Sequence, residues 1–151
     1  PRDTQRSAFI QQIHAALELK LPIIIHDRDS HGECLQILHD EGAFEGAGVL
    51  YHCYAGDVAH MEKVVEAGGY ISIPGVVTFK KAQDTQLSAA ACPEDRLLVE
   101  TDAPFLTPAP RAGPAPGADR CAPPWCHTQG RVTDEPGRVV LGTMEAPYGG
   151  C

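Results

Sequence analysis

The sequence predicts an α/β protein organised on a parallel sheet of the kind that closes into barrels, and three features of the chain predict it. Short apolar runs begin near residues 23, 48, 70 and 97, a spacing of roughly 25 residues that suits one strand, one helix and short loops. The intervals between them carry helical rather than alternating patterns. Three of the runs also end in side chains that can hold a metal: Ile23-Ile24-Ile25 runs into His26 and Asp27, Val49-Leu50-Tyr51 into His52 and Cys53, and Leu97-Leu98-Val99 into Glu100, Thr101 and Asp102. Parallel barrels build their sites at the carboxyl ends of strands in this way.

Taken in order, the chain opens with a helix from about Asp3 or Thr4 to Leu19. Phe9, Ile13 and Leu17 recur on one face with Ala16 beside them, and Pro22 blocks continuation. Ile23 to Ile25 is wholly apolar and β-branched, which suits a strand covered on both faces. A polar turn from His26 to Asp29 is expected next. Ser30-His31-Gly32-Glu33 has the form of a capping box, opening a helix with Leu35 and Leu38 on its apolar face and Gly42 at its left-handed end. A second strand, Val49 to Tyr51, is followed by Asp57 as the cap of a helix carrying Met61, Val64 and Val65, which Gly68 and Gly69 terminate. Tyr70 to Ile73 is the third strand, residues 82–91 form a further helix, and Leu97 to Val99 is a short buried strand. Consecutive units of this kind imply a parallel sheet with right-handed crossovers.

The 151 residues and 43% hydrophobic content are those of one globular domain. No apolar run approaches the length of a membrane span and no charged-then-apolar leader is present. Six cysteines without framework spacing point to reduced thiols and a cytoplasmic location. The chain starts at Pro1 and not at a methionine, and is expected to be a trimmed sequence or to start inside a longer gene.

The net charge of −8 is uneven: residues 1–110 hold 8 Lys and Arg against 16 Asp and Glu, and residues 111–151 hold 4 against 4. An acidic surface opposes tight non-specific duplex binding. It leaves room for a nuclease whose bound cations supply the positive charge.

Residues 111–151 contain 6 Pro and 7 Gly among 41, a composition of irregular or disordered segments. The expected domain organisation is therefore a folded unit over 1–110 and an irregular tail over 111–151. Cys121, Cys126, His127 and Cys151 match no compact structural-zinc pattern. A P-loop and a Rossmann fingerprint are absent.

Several segments in order resemble one known family. Gln12 in Phe9-Ile10-Gln11-Gln12, then LPIIIHDRD, YHCYAG, GYISIPG and LLVETDAPFL followed by a proline are similar to successive signatures of the TatD family of metal-dependent deoxyribonucleases, within the amidohydrolase-like TIM barrels. The resemblance spans about residues 4 to 110 and implies the second half of a (β/α)8 barrel, about four strand-helix units beginning just before the fifth strand. It places His26, His52 and Asp102 on metal ligands of the family, with Asp102 also holding or activating the attacking water. Glu100 falls on the Glu of the ETD motif, close behind those ligands. Arg28 is a candidate phosphate contact through its place beside His26.

The chain also departs from the family pattern. The family's His-x-His after the first strand and its ligand Glu after the fourth have no counterpart in this sequence, and its Arg-Gly-x-x-Asn-x-Pro stretch is replaced by Pro110-Arg111-Ala112-Gly113. The ending after residue 110 is read as foreign, from a frameshift or gene-model error.

The resemblance implies hydrolysis of DNA phosphodiesters with a divalent metal, Mg, Mn or Zn, at one site at most, since the second metal position needs the absent ligands. Two alternatives stay open. One is a non-catalytic remnant that binds metal or a partner; the other is a metal-dependent ester or amide hydrolase such as a D-aminoacyl-tRNA deacylase. Half a barrel exposes strand edges, so self-association or pairing with a missing N-terminal half is expected, and no membrane partner is.

The bland readings are a histidine bonded to a backbone carbonyl for His26 or His52, a helix cap for Asp102, a residue that only orients a neighbour or pairs with Arg28 for Glu100, and a plain surface charge for Arg28. His31, His39 and His60 are read as solvated helix residues, and Cys53 as a small packing residue.

Overall fold

A computed structural model describes residues 1–102, 106, 108–109 and 140–145. The first helix, α1, runs Arg2–Leu19 and buries Phe9, Ile13 and Ala16. Lys20 ends it in the left-handed conformation (φ 54°), its backbone N–H directed at Ala16 and Leu17, and the chain turns through Pro22 into strand β1, Ile23–Arg28.

Helix α2 (His31–Asp40) and strand β2 (Val49–His52) follow. Then come helix α3 (Val58–Glu66), strand β3 (Tyr70–Ile73), helix α4 (Gln83–Ala91) and strand β4 (Leu97–Val99). These are the four strand positions expected from the apolar runs. They pair in parallel in the order β4-β3-β2-β1, and the architecture is a partial (β/α)8 barrel.

The last strand, β5 (Val140–Glu145), lies in the segment expected to be irregular, and it pairs in parallel with the remaining edge of β1. The register runs from Ile23 opposite Val140 to Arg28 opposite Glu145. This pairing explains two departures from expectation. The β1 edge is not open, and β1 continues through His26, Asp27 and Arg28 where a turn was predicted, because β5 supplies ladder partners along its whole length. The other tail residues, among them Cys121, Cys126, His127 and Cys151, lie outside the described residues.

Side chains alternate across β1 as strand geometry requires. Ile23, Ile25 and Asp27 are buried, whereas Ile24 and His26 are half-buried and Arg28 is exposed. The buried set faces the helical layer, where Ile25, Tyr51 and Ile71 join Phe9, Ile13, Leu38, Met61 and Val64 in one core. Leu97 packs against that core, but β4 is not the buried strand predicted from its composition: Val99 is 73% exposed. A terminal strand needs a covering helix, and none lies over Val99 among the described residues.

Two caps were read from sequence, with different outcomes. Asp57 caps α3 as predicted, accepting the His60 N–H at 2.8 Å. The capping box at Ser30 does not form. The Ser30 hydroxyl donates to Asp27 Oδ1 at 2.7 Å, and Glu33 instead accepts from the guanidinium groups of Arg2 and Arg6, at 2.9 and 3.0 Å from their Nε atoms. Two arginines one turn apart on α1 offer that carboxylate a stronger, charged partnership than the backbone does.

Candidate functional site

The carboxyl ends of β1, β2 and β4 meet at one rim of the sheet. His26 and His52 are register partners across β1 and β2, their ring centres 5.7 Å apart and tilted by 44°. After His52 the backbone turns sharply at Cys53, which has φ 52°. Tyr54 then donates its N–H to the Ser72 carbonyl at 3.0 Å. The turn directs the Cys53 N–H at Glu100 Oε1, 2.7 Å away.

Glu100 is buried and grips His52 from behind. Its Oε2 accepts a hydrogen bond from His52 Nδ1, while its own N–H donates to the Ile73 carbonyl at 3.2 Å. A carboxylate on Nδ1 selects the tautomer that leaves Nε2 unprotonated in the neutral ring. His52 Nε2 is 3.5 Å from Asp102 Oδ1. The side chain of Asp102 is 32% exposed, so it stands at the opening of the rim. The hydrogen bond to Glu100, and after it the neighbouring Asp102, hold the His52 pKa above its ordinary value. Burial pushes the Cys53 thiol up to about 12, so it is not a nucleophile at neutral pH.

The chain beyond Asp102 returns past the end of β3. A Cβ on Gly75 would come within 2.7 Å of the Leu106 carbonyl oxygen and of Pro108, so glycine is what admits this close approach. Ala109 then donates its N–H to Thr78 Oγ1 at 2.7 Å.

Four of the residues singled out from sequence, His26, His52, Glu100 and Asp102, therefore share this rim. The rings of His26 and His52 are neighbours, and His52 meets Glu100 through Nδ1 and Asp102 through Nε2. Arg28 stands two residues beyond His26 on the same face of β1, exposed. Of the two bland readings of Glu100, the structure has it orienting a neighbour: His52 and Cys53 take its two oxygens, and pairing with Arg28 is not the bond it makes.

A second constellation escaped the sequence reading. Asp27, His31 and His60 each offer one ligand atom, and these atoms lie within 4.8 Å of one another. His31 and His60 are not solvated helix residues as read from sequence: His60 is 9% exposed and the side chain of His31 31%. The signal available in the sequence was strand alternation, which puts Asp27 on the face opposite His26. Burial acts to raise the Asp27 pKa, but hydrogen bonds from His31 and Ser30 outweigh it and hold the carboxyl low.

Fold and rim together define a class: partial (β/α)8 barrels with imidazole and carboxylate side chains at the carboxyl ends of their strands. Within that class the chain belongs to the TatD related DNase family, whose model matches residues 1–127. It is 43% identical to YabD of Bacillus subtilis, named an uncharacterized metal-dependent hydrolase, over 75% of this chain and 44% of that protein. It is 35% identical to the 3′-5′ ssDNA/RNA exonuclease TatD of Cronobacter sakazakii, over 80% of this chain and 46% of the relative. The crystal structure of YJJV, a TatD homologue from Escherichia coli, superposes on 67% of this chain and 38% of that one, with TM-score 0.61 and 29% identity. A TatD family hydrolase from Entamoeba histolytica shares the fold, with TM-score 0.55 and 23% identity. The chain thus spans less than half the length of the curated relatives it matches. Among the described residues no helix is long and apolar enough to cross a membrane.

Proposed function

We propose that this chain carries one half of a TatD-type catalytic centre that hydrolyses phosphodiester bonds of DNA with a divalent cation. The observation that carries the reading is the orientation of His52, whose Nδ1 is held by buried Glu100 while Nε2 is turned towards Asp102 beside the ring of His26. The donor set fits a divalent cation such as Zn, Mn or Mg: His52 presents an unprotonated nitrogen, Asp102 a partly exposed carboxylate, and Glu100 supports the ligand as outer carboxylates do in metal sites.

His26, His52 and Asp102 would hold the ion. When bound it polarises a phosphoryl oxygen and lowers the pKa of water, the chemistry that phosphodiester hydrolysis requires. Asp102, at the open side of the rim, accepts the proton of the attacking water. Glu100 keeps His52 in the required tautomer. Arg28, exposed two residues beyond His26, pairs with a substrate phosphate. The 3′-5′ ssDNA/RNA exonuclease activity in the name of the Cronobacter relative supports a nucleic-acid substrate.

The test is release of nucleotides from end-labelled single-stranded DNA by the full chain, with and without chelator. Release that chelator abolishes, and that His52→Ala or Asp102→Ala removes, is the expected result. A second reading is a remnant that binds metal without turnover, since His26, His52 and Asp102 supply ligands for one ion. Stoichiometric metal uptake with no nucleotide release would select it.

A further inference from the structure

We propose that Asp27, His31 and His60 form a second divalent-cation site of the zinc class, set behind the sheet between β1, α2 and α3 and separate from the rim. The separation follows from strand geometry. His26 and Arg28 project from one face of β1, whereas Asp27 projects from the other, among the buried residues.

The geometry of the three residues suits a small cation. Asp27 is held by its first oxygen, which accepts from the Ser30 N–H at 3.1 Å and from the Ser30 hydroxyl at 2.7 Å. That leaves Oδ2 for His31 Nδ1, 2.6 Å away. His60 joins from α3, its ring centre 5.1 Å from that of His31. Ligand atoms around a first-row cation stand roughly 3–4 Å apart when each is about 2.0–2.2 Å from it. The present spread of 4.8 Å or less reaches that arrangement with small side-chain rotations. On binding, the ion takes the place of the proton that His31 Nδ1 and Asp27 share.

An independent observation points to a ligand. His60 is nine-tenths buried, and its Nε2 has no hydrogen-bond partner. The hydroxyl of Tyr51, whose ring meets that of His60 edge-on with centres 5.4 Å apart, is also buried and unpartnered. A buried imidazole nitrogen left unsatisfied forfeits its hydration with nothing in return. An Asp27–His31 ion pair across one helical turn accounts for two of the three residues and leaves His60 unexplained.

Access and selectivity are also provided for. His60 lines a surface groove between α2 and α3, together with Gly32, Leu35 and Lys63. Two imidazoles and one carboxylate favour zinc-class cations over magnesium or calcium, which require oxygen ligands.

The test uses the full chain with its rim ligands removed (His52→Ala with Asp102→Asn), titrated with Co2+ and followed by its ligand-field absorption, then with Zn2+ against a competing chelator. The expected result is stoichiometric cation uptake that survives loss of the rim and is weakened at least about tenfold by His31→Asn. His31→Asn falls at the first residue of α2 on a half-exposed side chain and leaves the helix intact by circular dichroism. His60→Phe, which keeps a ring stacked on Tyr54, gives the same loss. Absence of uptake in the rim-depleted chain, or uptake that His31→Asn leaves unchanged, overturns the proposal. A zinc-independent melting temperature in that chain, as a buried water bridging His60 would give, also overturns it. Failure of the rim reading is seen in the other variant set and leaves these outcomes legible.

Discussion

Glu100 stands behind His52 with both carboxylate oxygens engaged, one by the imidazole Nδ1 and the other by the Cys53 N–H at 2.7 Å. The second bond is made possible by the positive φ of Cys53, which turns that N–H inward. Through these bonds residues 48 positions apart act as one unit, the strand end of β4 fixing the ring that β2 delivers.

From this follows the effect of Glu100→Gln. The amide keeps the shape but loses the charge that stabilises the Nδ1 proton. Rim metal affinity is expected to fall about 10–100-fold, with little change in the circular dichroism spectrum. Isothermal titration with Mn2+ or Zn2+ in a His31→Asn background reads the rim alone, and unaltered affinity would show that Glu100 does not position His52.

The Glu33 clamp gives a pH-dependent stability. Hydrogen bonds from Arg2 and Arg6 hold the Glu33 carboxyl below its ordinary value of 4.5. A depressed carboxyl contributes its full stabilisation above the unfolded value and loses it as pH falls through the folded one. The contribution is therefore complete above about pH 4.5 and fades below it. Both arginines are about half exposed, so solvent screening keeps the clamp's contribution small. Glu33→Gln is expected to lower the thermal midpoint at neutral pH and to converge with the parent in strongly acidic buffer. A difference that persists in acid would locate the effect elsewhere.

Val99 concerns association. It is 73% exposed on the terminal strand β4, and among the described residues no strand pairs with the far edge of β4. Such an edge recruits another chain. The full chain is expected to elute at a concentration-dependent size. Val99→Lys should weaken association roughly tenfold or more, the worth of one buried valine. A concentration-independent monomer in both proteins would exclude an interface at this edge.

Much of this architecture was legible without coordinates, for local reasons. Phe9, Ile13 and Ala16 fall on one side of a helix because of their spacing, and they are the residues α1 buries. Asp57 was legible as a cap because its partner, the His60 N–H, is only three residues away. Ser30 misled for the complementary reason. Its capping box is a local bond, and long-range charged partners for Glu33 on α1, with Asp27 for the Ser30 hydroxyl, displaced it. β5 was hidden because Val140 to Glu145 sits in a Pro- and Gly-rich surrounding and is stabilised only by pairing with residues more than a hundred positions earlier.

By itself the sequence determined the order of the first four strands and of the helices, the family, and which side chains stand at the ends of those strands, because all of these follow from periodicity and motif within short windows. Tertiary structure alone decided that Glu100 takes His52 rather than Arg28, that β5 completes the edge of β1, and that His60 comes to lie beside Asp27. Those outcomes depend on sheet register and on the packing of α3 against α2. No window along the chain contains both partners of such a contact, so burial and pairing across the fold had to select them.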